Sequence, residues 1–131
     1  MTWFSVSTLI AFRVPTGDQT SIGVNEDLYL IEAETVEEAQ EIATKEAMIY
    51  VNLDDDLRLN DKPVIREFLG IRKVMKILNI YPLTSNDPPA SGAEISHSYY
   101  EVKGVEELEL LRADKPTWVH YVDESETPGD G

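Results

Sequence analysis

The chain has 131 residues, one domain's worth at roughly 100–200 residues per domain, and 42% hydrophobic with 27% charged residues excludes collagen-like, low-complexity and wholly disordered classes. Its 25 acidic residues against 11 basic ones leave −14 at pH 7, a field that repels phosphate backbones and anionic lipid, so neither nucleic acid nor a membrane surface is expected as a partner. The absence of Cys rules out disulfide scaffolds, Cys-based zinc sites and thiol catalysis.

The segment from Met1 to Phe12 shows no basic stretch or cleavage site of a secretory signal, and no apolar run approaches the ~20 residues of a bilayer span. By elimination the expected location is cytoplasmic.

From Trp3 to Val14 the even positions are Phe4, Val6, Thr8, Ile10, Phe12 and Val14 and the odd ones include Ser5, Ser7 and Arg13, which predicts a strand with one buried face. Pro15 to Ser21 is a cluster of turn formers. Ile22, Val24, Leu28 and Leu30 then share one face of a second strand, with Tyr29, Ile31 and Ala33 on the other. Together these make a long hairpin.

A helix is predicted next. Thr35 is placed to cap it with Glu38 three residues on, early carboxylates suit its positive end, and Val36, Ala39, Ile42, Ala43, Ala47 and Met48 recur at helical spacing on the face expected to pack closely on the sheet, with Glu37, Glu41, Thr44 and Lys45 on the other side. It should end near Val51 or Asn52. Asp54, Asp55 and Asp56 follow, read as a solvated loop, since no alternating ligands, turn glycine or closing Glu of a calcium loop accompany them.

Between Val64 and Ile80 the β-branched residues favour a strand with a bulge or kink at Gly70. Pro82 to Gly92 reads as a mobile loop, and Ala93 to Val102 as a fourth strand pairing back on the third. Val105 to Arg112 fits either helix or strand. Thr117 to Val122 has strand composition, and residues 123–131 read as a disordered acidic tail. The expected fold is therefore one α+β domain over residues 1–122, a β-β-α-β-β core with an antiparallel sheet, one main helix on one face, and a short C-terminal extension.

Catalytic signatures are missing. His97 and His120 lack the spacing of a metal pair, Ser96 and Ser98 point away from the neighbouring His97 on a strand, and there is no nucleophile elbow or phosphate-binding glycine loop. No enzyme, metal or cofactor is expected. One segment opposes the global charge: Lys62, Arg66, Arg72, Lys73 and Lys76 against Glu67 give +4, read as pairing with cross-strand acids such as Glu26, Glu32, Glu94 or Glu101, or as a small anion or acidic-partner site.

Trp3-Phe4-Ser5-Val6, the junction from Leu30 to Ala39, and Phe68-Leu69-Gly70-Ile71-Arg72-Lys73-Val74 together resemble a family of small bacterial proteins, common in cyanobacteria, catalogued as domain of unknown function 4288. The resemblance covers residues 2–103 and implies a β-β-α-β-β core with no catalytic residues. The chain departs from the family pattern in an insert from Asn52 to Pro63 and in its extension after Gly104.

Two functions are then open. The first is an acidic binding module, such as an immunity or inhibitor protein docking on a basic partner like a nuclease toxin through Glu37, Glu38, Glu41, Asp54, Asp55 and Asp56. The second is a structural homodimer, joined through a sheet edge or through Trp3, Tyr99, Tyr100 and Trp118.

Overall fold

Residues 1–15, 19, 21–79 and 87–122 are described by the computed structural model, and the chain divides into two compact units, Met1–Ser96 and His97–Gly131. In the first unit the alternating segment forms β1 (Thr2–Arg13), which pairs antiparallel with β2 (Gly23–Ala33) in an unbroken register from Thr2 opposite Ala33 to Phe12 opposite Gly23.

The predicted cap then starts α1 (Val36–Val51). Thr35 is extended, and its Oγ1 accepts from the Glu38 amide at 3.1 Å. At the other end the Asn52 amide donates to the Met48 and Tyr50 carbonyls.

After α1, Asp54, Asp55 and Asp56 lie in an exposed loop, as expected. β3 (Arg58–Leu59) and β4 (Lys62–Pro63) form a small hairpin around Asn60 and Asp61, at φ 52° and 64°. A tight hairpin needs the left-handed region there, and Asn and Asp tolerate it best after Gly.

β5 (Ile65–Ile77) pairs antiparallel on the other side of β1, giving the sheet order β2-β1-β5. Its register slips opposite Ser7/Thr8 and again opposite Leu9/Ile10, so Arg72 and Leu69 are extra residues. Gly70 lies between them at φ 133°, the irregularity expected there.

The core forms where the sheet meets α1: Phe4, Val6, Ile31 and Ala33 against Ala39 and Ala43, with Tyr29, Ile42, Ile71 and Val74 packed around them. The expected packing face holds at Ala39, Ala43 and Ala47, which are buried, and is corrected at its ends, because Val36 and Met48 are exposed and Ile42 is only partly buried. Ala39, Ala43 and Ala47 recur one turn apart, so the helix backbone approaches the sheet closely and longer neighbours fall on the rim.

β1 also departs from a single buried face, since Ser5, Ser7 and Ala11 are buried on its odd side. Small residues on a central strand are shielded by longer ones on both flanks, here Leu30 and Met75 beside Ser5 and Leu28 and Lys73 beside Ser7.

Of the expected loop, residues 82–86 lie outside the described residues. Its later part is tied down: the Asn79 side chain donates to the Asp87 and Pro88 carbonyls and accepts from the Ala90 amide. The acidic tail from Asp123 lies outside the described residues.

The second unit holds β6 (Tyr99–Glu101), α2 (Val105–Arg112) and β7 (His120–Val122). The expected fourth strand is thus corrected: only Tyr99–Glu101 is extended into a ladder, and it pairs with β7 rather than with β5. The run from Glu94 to Ser98 carries one large aliphatic side chain, Ile95, too little apolar surface to hold a strand against a sheet. The ambiguous segment from Val105 to Arg112 is a helix, and none of its residues is buried. No helix among the described residues is long and apolar enough to cross a membrane.

Candidate functional site

The acidic residues singled out from the sequence fall into two groups with different fates. Glu37 and Glu41 stand one turn apart on α1, exposed, and no ion pair holds either among the described residues. Glu38 is half-buried in the first turn, where its amide is taken by the cap.

In the following loop Asp54 is exposed, but Asp55 and Asp56 are engaged. Arg66 of β5 reaches Asp55 with both terminal nitrogens, at 2.8 and 2.7 Å, and Asp56 accepts from Arg58 at 3.1 Å. The hydrogen bonds from Arg66 hold the Asp55 carboxyl below the usual carboxylate range. Asp55, with Tyr50 beside it, raises the Arg66 guanidinium in turn.

Arg66 also lies over the Tyr50 ring, 4.4 Å from its centroid, with its side chain 8% exposed. A guanidinium that lies over an aromatic ring and donates through both terminal nitrogens to a carboxylate is a structural clamp, here fastening the C-terminal end of α1 and the loop after it to β5. The three aspartates of the loop thus meet different neighbours: Asp55 meets Arg66, Asp56 meets Arg58, and Asp54 is exposed.

Between α1 and β5 lies an open cleft of about 660 Å³, lined by Glu37, Gln40, Glu41, Thr44 and Lys45 from the helix and by Phe68 and Ile71 from the strand. The helical spacing puts 37, 41 and 45 in one row, and 40 and 44 in the row beside it. The strand supplies two half-buried apolar side chains to the floor. Glu37 and Glu41 repel each other at that spacing, a small cost an incoming cation would relieve.

The sequence reading found the two acids and missed the floor. The 37, 41, 45 row was legible from helical period alone, but no local pattern says that Phe68 and Ile71 stand opposite it.

The basic segment is largely used inside the unit. Arg72 reaches Glu26 across β1, as the cross-strand reading expects, Arg66 takes Asp55, and Glu67 takes Arg13. A built anion site would need those guanidinium groups free.

His120 is exposed on β7 and His97 is exposed outside any strand. No group of three or more His, Cys, Asp or Glu among the described residues could hold a metal ion. Of the aromatic residues proposed for a dimer contact, Trp3 is half-buried, whereas Tyr99 and Tyr100 are exposed and Trp118 is 90% exposed.

Compared with known proteins, the chain matches no family model, no curated protein and no solved structure. The resemblance to domain of unknown function 4288 rests on the residues quoted for it.

Proposed function

We propose that this protein is a non-catalytic acidic binding module that docks a basic protein partner on the cleft beside α1, as an immunity or inhibitor protein docks on a nuclease toxin. The observation that carries the reading is the pairing of two ion-pair-free carboxylates, Glu37 and Glu41, with an apolar floor of Phe68 and Ile71. Carboxylates on the rim attract and orient a basic surface, and the apolar floor retains it once water is displaced.

The net charge of −14 extends that attraction beyond the cleft and speeds encounter. Asp55 and Asp56 contribute to the field but are held by Arg66 and Arg58, so direct contact falls to the helix.

The test is the association rate with a set of Arg- and Lys-rich peptides carrying a central Leu or Phe, measured from low to physiological salt. The rate should fall steeply as exposed charges are screened beyond about 8 Å at 0.15 M. Glu37→Gln with Glu41→Gln should slow binding with the melting curve unchanged, while Asp54→Asn, which removes a charge outside the cleft, should have a smaller effect. A rate insensitive both to salt and to the helix double variant rejects the proposal.

A further inference from the structure

β2 is an edge strand of the β2-β1-β5 sheet, and it lacks the usual protections of an edge. Its register is unbroken across eleven pairs, and its sequence Gly23–Ala33 contains no Pro and no Lys or Arg. Val24, Leu28 and Leu30 project from the face away from α1 and are 50%, 52% and 55% exposed. On the helix side, Asp27 and Tyr29 share the strand's other face.

Asp27 and Glu46 gather there, and among the described residues no ion pair holds either. Burial, followed by the fields of Asp27 and of Glu46 on α1, pushes the Tyr29 hydroxyl up. On the outer face Glu32 stands beside Leu30 and, among the described residues, in no ion pair, while Glu26 is already held by Arg72. β2 therefore offers a row of outward backbone donors and acceptors, an aliphatic stripe on one face, and on the other carboxylates that stand in no ion pair among the described residues.

We propose that the β2 edge is a second docking site, which takes an extended segment of a basic partner as an added strand, aliphatic side chains on one face and Lys or Arg on the other. Alternation matches both faces at once, because successive strand residues point to opposite sides. The aliphatic side chains would cover Val24, Leu28 and Leu30, and the cations would face Asp27 and Glu46.

Charge decides against a second copy as the occupant. Two β2 strands laid edge to edge bring Glu26, Asp27 and Glu32 of both copies together with no basic residue on either strand, and like charges across a ladder are destabilising.

The probe is a labelled eleven-residue peptide of alternating Val and Lys, the length of β2, titrated into the full chain. Its anisotropy should saturate, alternate β2 amides should exchange more slowly in its presence, and Leu28→Lys with Leu30→Lys should weaken binding about tenfold or more, some 1.4 kcal/mol. Because both leucines are half-exposed, the melting temperature of that variant should stay close to that of the parent. Glu37→Gln with Glu41→Gln should leave this peptide's affinity in place, which separates the β2 site from the cleft.

Equal binding by an alternating Val and Glu peptide, or β2 amides unchanged on binding, overturns the proposal. Dimerisation of the chain without peptide that Leu28→Lys abolishes also overturns it, by giving the edge to a second copy.

Discussion

The sheet has two edges, and they handle exposure in opposite ways. β5 is bulged at Leu69 and Arg72, carries Gly70 at φ 133°, and directs Arg66, Glu67 and Arg72 into ion pairs with Asp55, Arg13 and Glu26. β2 keeps an unbroken register with β1, and Glu26 is its one residue in such a pair among the described residues. A bulged, strongly twisted edge resists strand addition, whereas a long regular one invites it. The contrast teaches that the charges of β5 serve cohesion, tying it to the loop after α1, to β1 and to β2, while Asp27 and Glu32 of β2 stand in no ion pair among the described residues.

The most severe way to break the comparison is to remove the core that both edges share. Ala43 is fully buried against Phe4, Val6 and Ile31. Ala43→Asp should unfold the unit, since an unpaired buried charge costs several kcal/mol against a total stability of about 5–15 kcal/mol. Circular dichroism and a thermal melt check this, and a cooperative transition at the parent temperature contradicts the packing described.

A smaller effect separates the edges through their glycines. A Cβ at Gly70 meets nothing within 4 Å, so the cost of Gly70→Val is that of the backbone at positive φ, about 1–3 kcal/mol. Gly23 on β2 has no such constraint, and its Cβ would touch Phe12 at an ordinary 3.8 Å. Gly23→Ala should therefore shift stability by less than about 0.5 kcal/mol. Denaturant titration of the two variants should rank them in that order, and equal losses would remove the asymmetry.

The mildest test sharpens the role of charge on β5. Because hydrogen bonds from Arg66 lower the Asp55 pKa in the folded chain, that pair's contribution is present above the ordinary carboxylate range and is lost as pH falls through the lowered value. Asp55 is exposed, so the effect is modest. Asp55→Asn should flatten the acid side of the stability profile and leave the Val and Lys peptide's affinity for β2 unchanged. A profile identical to the parent's would show that the clamp adds nothing to stability.

Local patterns carried much of the architecture. A period of two identified β1 and β2, a capping Thr35 with early glutamates located α1, and a glycine among β-branched residues marked the irregularity in β5, because each signal depends on residues close in the chain. The acids Glu37 and Glu41 were legible for the same reason.

What only the tertiary structure decided was which neighbour each face would meet. Periodicity assigned Val36 and Met48 to the packing face of α1, but a stripe of alanines lets the backbone approach so closely that these longer side chains are left outside. Alternation alone did not tell which side of β2 would be covered. Asp54, Asp55 and Asp56 are identical in sequence character, yet only the return of β5 brings Arg66 against Asp55 and leaves Asp54 in water. Likewise the pairing of Tyr99–Glu101 with His120–Val122 joins segments whose separation exceeds any local pattern. Propensity and period act over a few residues, whereas burial and ion pairing depend on segments distant in the chain, and those were settled when the strands assembled around α1.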